Sequence, residues 1–128
     1  MKKLNILYLE DSAEDAELAA YALKKAGISF SFNLVDSKEE YEEALQQSSP
    51  DLILADHSLF HFNSLEALKI FKSAGLKIPF ILVTGTVSEE FAVDILQQGA
   101  DDYLLKKNLA RLPNAILQSL EKYRIENE

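Results

Sequence analysis

Two acidic side chains stand side by side where the first long apolar run of the chain ends. The run "LNILYL" covers residues 4–9, and Glu10 and Asp11 follow it directly. A charge at the end of a buried segment is costly unless a partner compensates it. The pair therefore predicts either a cation nearby or a polar strand end in which Asp11 or Ser12 caps the following helix.

Further polar side chains stand at the ends of later apolar runs. Asp56 ends "LILAD", Thr84 precedes Gly85 in "ILVTG", and Lys106 follows "DYLL". If one sheet brings these groups to the acidic pair, the carboxylates favour a hard divalent cation such as Mg²⁺, which binds carboxylates, water and phosphate oxygens. A hydroxyl and an ammonium can hold phosphoryl oxygens, and an aspartate among them can accept a phosphoryl group covalently. The pattern predicts Mg²⁺-assisted phosphoryl transfer onto an aspartate.

The elements that must position these residues are visible as two alternating periodicities. Four short, nearly continuous apolar runs predict strands buried on both faces, as in a parallel sheet: "LNILYLE", "DLILAD", "PFILVTG" and "DYLLKK". A fifth segment, "FSFNLV", places Phe30, Phe32 and Leu34 in alternation with polar residues. This alternation predicts a strand with one solvated face at an edge of the sheet.

Five amphipathic segments between and after the strands predict helices. Ser37 and Glu40 have the spacing of a capping box, and Pro113 stands in the predicted first turn of the last helix. The residues expected to face the core are Ala16, Leu18, Ala19, Ala22, Leu23, Tyr41, Ala44, Leu45, Leu65, Leu68, Phe71, Phe91, Ile95, Leu96, Ile116, Leu117, Leu120 and Tyr123.

The elements follow one another as a strand and then a helix, repeated along the chain. Parallel strands with right-handed crossovers predict a three-layer, doubly wound (βα)5 protein of the α/β class. An edge position for the second strand favours the flavodoxin-like order 2-1-3-4-5. In such sheets ligands bind beyond the carboxyl ends of the strands, near the switch in strand order. The acidic, hydroxyl and lysine residues named above are therefore expected to converge on one crevice.

Length and composition narrow the class of protein. The chain has 128 residues, 48% of them hydrophobic, which predicts a single domain, 1–128, with its own core. A net charge of −8 argues against nucleic-acid binding. The absence of cysteine fits a reducing, cytoplasmic location, and no stretch approaches the roughly 18 apolar residues of a membrane span. Residues 124–128 form either a helix end or the stub of a linker to a further domain.

Together these motifs resemble the receiver domain of bacterial two-component response regulators, the CheY-like family. The resemblance covers essentially the whole chain and rests on "LEDS", "LILAD", "ILVTG" and "GADDYLLKK" at family-like spacings. It implies phosphorelay signal transduction, with a sensor histidine kinase or a phosphotransfer protein as the donor. It also implies a self-modifying switch rather than an enzyme that acts on other substrates, although faster hydrolysis of its own acyl phosphate stays open.

The resemblance assigns the phosphoryl chemistry to particular residues. Asp56 would be the phosphoacceptor and, with Asp11, a direct Mg²⁺ ligand. Glu10 would act on the metal through water, and the backbone carbonyl of Ser58 would complete the metal set. Lys106 matches the family's lysine.

The resemblance also implies how a signal leaves the site. Thr84 would bond the phosphoryl group, and Gly85 beside it is small enough for an open approach. Tyr103 matches the family's switch aromatic, although a plain core aromatic is the alternative. The surface formed by the fourth helix, fifth strand and fifth helix, including Phe91 and Val93, is expected to bind an effector protein or a second copy of the chain.

Several positions depart from the family's pattern. Lys107 stands where the family usually has proline, and Phe60 and Ser64 stand where proline and glycine are common. No acid, hydroxyl or lysine is missing, so these changes concern the geometry of the loops rather than the chemistry. His57 and His61 suggest a metal pair, but no third ligand has a suitable spacing, so both are predicted to be loop residues.

Three other functions are compatible with parts of the sequence. A flavodoxin-like cofactor binder needs a Ser/Thr/Gly-rich phosphate loop after the first strand, where this chain has "EDSAED". An aspartate-nucleophile phosphatase would need a second acid just after Asp56, where this chain has histidine and serine. A degenerate interaction module would not need the intact set of acids, threonine and lysine. The receiver function is therefore favoured.

Overall fold

The computed structural model describes residues 3–59, 62–85 and 89–126. Its strands are β1 (Leu4–Leu9), β2 (Phe30–Val35), β3 (Leu52–Ala55), β4 (Ser58–Leu59), β5 (Phe62–Asn63), β6 (Phe80–Thr84) and β7 (Asp102–Leu105). Its α-helices are α1 (Ala13–Lys25), α2 (Lys38–Gln47), α3 (Ser64–Ala74), α4 (Glu89–Gln97) and α5 (Leu112–Glu126). A 3₁₀ helix, Lys106–Arg111, joins β7 to α5.

The central sheet has five strands in the order β2-β1-β3-β6-β7, and every neighbouring pair is parallel. Because β6 and β7 are the fourth and fifth predicted strands, this is the predicted 2-1-3-4-5 order. The doubly wound α/β fold is thus confirmed. As its alternation predicts, β2 lies at an edge, but Leu34 is exposed rather than packed on the apolar face.

Apolar side chains cover both faces of the sheet. On one face α2, α3 and α4 pack around a core that includes Tyr41, Phe71 and Phe80. On the other face α1 and α5 pack around a core that includes Leu23 of α1 and Leu104 of β7. Burying one large apolar side chain contributes roughly 1.5–3 kcal/mol, so these two layers hold the strand ends in fixed positions.

The start of α1 is set by a cap that follows the acidic pair. Ser12 Oγ accepts a hydrogen bond of 3.2 Å from the Asp15 N–H. The predicted capping spacing of α2 is also confirmed, since Ser37 Oγ accepts a 3.2 Å bond from the Glu40 N–H. A cap of this kind contributes about 1 kcal/mol. In α1 it places the first helical turn directly beside the carboxyl end of β1.

The predicted apolar helix faces are too wide. Leu18, Leu96 and Leu117 are exposed, so their prediction as core residues was wrong. The buried part of each helix is a narrower stripe, as for Ala16, Ala19 and Leu23 in α1. Among the described residues, none of the helices is both long and apolar enough to pass through a membrane.

The loop after Asp56 contains a short antiparallel hairpin that the sequence did not predict. In it β4 pairs with β5, with Ser58 opposite Asn63. Asn63 then caps α3 by accepting a 3.0 Å hydrogen bond from the Glu66 N–H. Ser64, which stands where the family commonly has glycine, is the buried first residue of α3. The hairpin therefore leads the chain from β3 into α3.

The amino edge of the sheet is closed by aspartates that join neighbouring strands. Asp51 accepts a 2.7 Å hydrogen bond from the Asn5 N–H and returns one from its own N–H to the Asn5 carbonyl. Asp101 makes the same reciprocal pair with Phe80, at 2.8 Å in both directions. These carboxylates satisfy strand amides far from the crevice and have a structural role.

Candidate functional site

The carboxyl ends of β1 and β3 bring three carboxylates together. Glu10 and Asp11 follow β1, and Asp56 follows β3 in the adjacent register. One ligand oxygen from each carboxylate lies within 4.8 Å of the others. Glu10 and Asp56 are buried, whereas Asp11 is exposed. The group therefore offers oxygen ligands and an opening to solvent, which suit a hard divalent cation.

Lys106 lies against this acidic group, at the end of β7. Its Nζ lies 2.7 Å from Glu10 Oε2, 2.5 Å from Asp15 Oδ2 and 3.0 Å from Asp56 Oδ2. The lysine side chain is 19% exposed and the Glu10 side chain is fully buried. Lys106 is thus a positive partner that makes buried acids tolerable at the end of β1.

Burial and the neighbouring charges shift the pKa values of Glu10 and Lys106. Burial raises the pKa of Glu10, while Lys106 and the Ser12 N–H, which donates a 3.1 Å hydrogen bond to Oε1, act in the opposite direction. Burial alone would lower the pKa of Lys106, but its carboxylate contacts, beginning with Asp15, raise it above the usual lysine value. Lys106 is therefore a firmly held cation at neutral pH.

A buried tyrosine hydroxyl lies within the electrostatic influence of the acidic group. Tyr8 on β1 is fully buried, and its ring packs edge-on against Phe32 with the ring centroids 5.2 Å apart. Among the described residues its hydroxyl has no hydrogen-bond partner. Burial first, and then the charge of Glu10, raise the pKa of Tyr8, so the hydroxyl stays protonated.

The phosphoryl-binding and switch candidates lie on the neighbouring strands. Thr84 is buried at the end of β6, opposite Leu105 of β7. A Cβ added to Gly85 would meet no heavy atom of the described residues beyond its chain neighbours within 4 Å, so among these residues nothing blocks the approach beside Thr84 on that side. Tyr103 is half-buried and packs against the core that α3 and α4 cover. Their functional roles stay predictions.

The predictions for residues of the loop after Asp56 have different outcomes. Ser58 lies in β4, two residues after Asp56, and its carbonyl as a metal ligand stays a prediction. His57 Nδ1 is 2.9 Å from Ser64 Oγ, and its ring lies 4.2 Å from that of Phe91 between centroids. His57 is also not among the clustered acidic metal-ligand candidates of the described part of the chain. His61 lies outside the described residues, as does Phe60.

Asp15 is the residue at the site that the sequence analysis missed. It lies in the first turn of α1 and makes the 2.5 Å contact with Lys106, 91 positions away in the chain. The available signal was its position four residues after Asp11, in a helix that begins immediately beyond the acidic pair. A carboxylate there can reach back toward the strand ends.

A doubly wound sheet with acids and a lysine at its carboxyl edge defines a narrow class of α/β proteins. The sequence model of the response regulator receiver domain matches residues 6–117 of this chain. The chain therefore belongs to the response regulator receiver domain family. Within this family it is a module of two-component signalling.

Individual proteins agree with this assignment. The phosphate regulon transcriptional regulatory protein PhoB of Klebsiella pneumoniae is 32% identical over 130 residues, which cover 94% of this chain and 55% of PhoB. The swarming motility regulation protein RssB of Serratia marcescens is 34% identical over 105 residues, covering 80% of this chain and 46% of RssB. The chain thus spans about half the length of these relatives. A CheY-like receiver domain protein from Methanospirillum hungatei JF-1 superposes with a TM-score of 0.80 and 25% identity, covering 98% and 99% of the two chains.

Proposed function

We propose that this chain is a phosphorylation-controlled receiver that accepts a phosphoryl group on Asp56. The donor would be the phosphohistidine of a sensor kinase or of a phosphotransfer protein, in the cytoplasm. The chain would catalyse only its own modification and, at most, the hydrolysis of its own acyl phosphate. The observation that carries this proposal is the contact of 3.0 Å between Lys106 Nζ and Asp56 Oδ2 inside a three-carboxylate group.

The proposed transfer is a nucleophilic displacement at phosphorus. A carboxylate oxygen of Asp56 forms the new P–O bond while the P–N bond to the donor histidine breaks, and the imidazole nitrogen keeps that electron pair. Lys106 would hold a phosphoryl oxygen by a charge-assisted hydrogen bond, and Thr84 would donate its hydroxyl to another. Positioning and charge neutralisation account for most of the catalysis in reactions of this kind.

The acidic group fits Mg²⁺ as the proposed cofactor. Asp11 and Asp56 would be direct ligands, Glu10 would act through water, and the Ser58 carbonyl would complete the set. An exposed ligand beside buried ones leaves room for the several waters that Mg²⁺ usually keeps. When bound, the ion supplies positive charge against the three carboxylates and the phosphoryl oxygens.

The test of this function is phosphorylation by a small donor. With acetyl phosphate and Mg²⁺, intact-mass spectrometry should show one added phosphoryl group on the wild type and none on Asp56→Asn. Removing Mg²⁺ with a chelator should abolish most of the modification, because the acids then repel the anionic donor.

A matched control separates loss of the acceptor from loss of charge. Asp94→Asn removes one carboxylate from the exposed surface of α4 and should be phosphorylated like the wild type. Phosphorylation of the Asp56→Asn protein to the wild-type extent would refute the assignment of the acceptor.

The proposed output surface is formed by α4, β7 and α5. Val93 and Leu96 are exposed on α4, and Tyr103 is half-buried on β7, a strand that α4 contacts. Apolar and aromatic side chains are favoured at protein interfaces. This surface would bind an effector protein or a second receiver. The curated relatives PhoB and RssB extend well beyond the region that matches this chain. If this chain is also part of a longer protein, the activity of that protein is proposed here and not established.

We expect phosphorylation to reach this surface through Thr84 and Tyr103. A phosphoryl group on Asp56 draws Thr84 toward it, and Tyr103 changes rotamer into the vacated space, with a coupling of about 1–3 kcal/mol. NMR spectra with and without beryllofluoride, a phosphate mimic, should show shifts for the Tyr103 ring and for α4. Unchanged signals there, with the mimic demonstrably bound, would rule out this route.

A further inference from the structure

Asp15 is a fourth carboxylate at the crevice, and no role for it follows from the chemistry described so far. Its Oδ2 lies 2.5 Å from Lys106 Nζ, the shortest of the three carboxylate contacts that this lysine makes among the described residues. Its side chain is 34% exposed, so it approaches Lys106 from the solvent side rather than from within the sheet. Asp15 therefore contacts the ammonium group of Lys106 on its solvent-facing side.

The local structure fixes the position of this carboxylate. Ser12 caps α1 and receives the Asp15 N–H, so Asp15 occupies the third position of the helix. The first turn of a helix stabilises negative charge through the aligned peptide dipoles. Asp15 is therefore held on a rigid element, with its carboxylate in contact with Lys106 at the end of β7.

The three acids around Lys106 differ in their contacts. Asp15 and Asp56 both accept hydrogen bonds from the ammonium, at 2.5 Å and 3.0 Å. Glu10 Oε2 lies 2.7 Å away as an ion pair, but it has no aligned hydrogen bond among the described residues. The contacts with Asp15 and Asp56 exist at the same time, so Asp15 does not draw the lysine away from the acceptor.

The acids also differ in what else they can bind. Glu10 and Asp56 belong to the candidate cation group, whereas Asp15 does not. If those two carboxylates turn toward a cation, Asp15 is the carboxylate that still holds the ammonium. The ammonium group of lysine is carried on a flexible four-carbon stem. A carboxylate that holds this group therefore determines where its charge lies.

We propose that Asp15 is a positioning residue that holds the Lys106 ammonium over Asp56 from the side of α1. This inference rests on the proposed function, because it assigns Asp15 a part in phosphoryl transfer. Without Asp15, Lys106 samples more rotamers and is less often placed for the incoming phosphoryl oxygens. The residue itself touches neither the donor nor the reacting atoms.

The contact can be tested without a phosphodonor. In ¹H–¹⁵N spectra of the lysine ammonium groups, the Lys106 signal is assigned by its loss in Lys106→Met. Without Mg²⁺ or donor, the signal should shift and broaden in Asp15→Asn. Glu14→Gln, which removes an exposed charge from the same helical turn, should leave it unchanged. An unshifted Lys106 signal in Asp15→Asn would overturn the proposal at this stage.

The positioning role is tested by the rate of phosphorylation. With acetyl phosphate and saturating Mg²⁺, Asp15→Asn should be phosphorylated roughly three- to tenfold more slowly than the wild type, the effect of one lost charge-assisted hydrogen bond. Glu14→Gln should react at the wild-type rate, and Asp15→Glu, which keeps the charge within reach of Lys106, should recover most of it.

The outcomes separate this inference from the proposed function. If the wild type itself is not phosphorylated on Asp56, the proposed function fails, whatever the ammonium spectra show. If the wild type is phosphorylated and Asp15→Asn reacts as fast as Glu14→Gln, the positioning role fails while the function stands. A slow Asp15→Asn that Asp15→Glu does not rescue would also refute the role, because it would indicate a merely structural effect.

Discussion

Replacing Lys106 with methionine is expected to lower the free energy of unfolding by about 3 kcal/mol at neutral pH without Mg²⁺. The substitution keeps an unbranched side chain but removes the charge that faces Glu10, Asp15 and Asp56. Glu10 is fully buried, so its carboxylate would lose a close positive partner. The expected value lies at the low end for breaking a buried pair because Asp15 is partly solvated. Urea unfolding followed by circular dichroism measures this change.

The adjacent lysine provides the control for this substitution. Lys107 is exposed, so Lys107→Met should change the unfolding free energy by no more than a few tenths of a kcal/mol. The loss in Lys106→Met should be smaller near pH 5 than near pH 8. Burial already raises the folded-state pKa of Glu10, and removing Lys106 raises it further, so the associated stability is present at low pH and lost as the pH rises. Equal unfolding midpoints for the two variants would contradict the electrostatic account.

The strands and their order could be predicted because short apolar runs and amphipathic segments alternate along the chain. Continuous apolar runs indicate central, buried strands, and the alternating run with Phe30 and Phe32 indicates an edge. The run of β7 is the exception, because β7 forms the other edge of the sheet and only its Leu104 is buried. The carboxyl ends of adjacent parallel strands then meet by geometry. For this reason Glu10, Asp11 and Asp56 could be placed together from sequence, and the structure shows them within 4.8 Å.

The helix faces were predicted less well because apolar composition does not define how wide a buried stripe is. In α1 the buried residues Ala16, Ala19 and Leu23 follow helical spacing. Leu18 lies two residues, or about 200° of helical rotation, from Ala16 and therefore points away from the sheet. A helix that packs on a sheet buries only the side chains that contact the sheet. The width of that contact depends on the tertiary structure and cannot be read from the apolar residues of the helix alone.

Asp15 and the hairpin after Asp56 could not be predicted for related reasons. The contact of Asp15 with Lys106 depends on the direction of two side chains 91 positions apart. The hairpin of β4 and β5 has none of the Asn-Gly or Asp-Gly turn signals that identify short hairpins in sequence. Both features depend on tertiary structure. The placement of the acids at the strand ends could be predicted because it depends mainly on where these residues stand relative to the apolar runs of the sequence.

Asp101 shows that a buried carboxylate can instead be purely structural, and its removal should be strongly destabilising. Its side chain is 3% exposed and accepts hydrogen bonds from the Phe80 N–H, from Lys122 Nζ at 3.0 Å and from the Tyr123 hydroxyl at 3.2 Å. These contacts join the start of β6 to the end of α5. Asp101→Ala is expected to cost about 3–4 kcal/mol, because a strand amide and a hydroxyl lose their acceptor together.

The comparison that identifies the cause is with Lys122→Met. Lys122 is 53% exposed, so losing its ion pair should cost at most about 1 kcal/mol. Asp101→Asn, which keeps one acceptor oxygen, should fall between the two variants in urea unfolding. Phosphorylation of the folded Asp101 variants by acetyl phosphate should proceed at the wild-type rate, since Asp101 lies at the amino edge of the sheet and the crevice at the carboxyl edge. If Lys122→Met is as damaging as Asp101→Ala, the stability comes from the ion pair rather than from the buried hydrogen bonds to Phe80 and Tyr123.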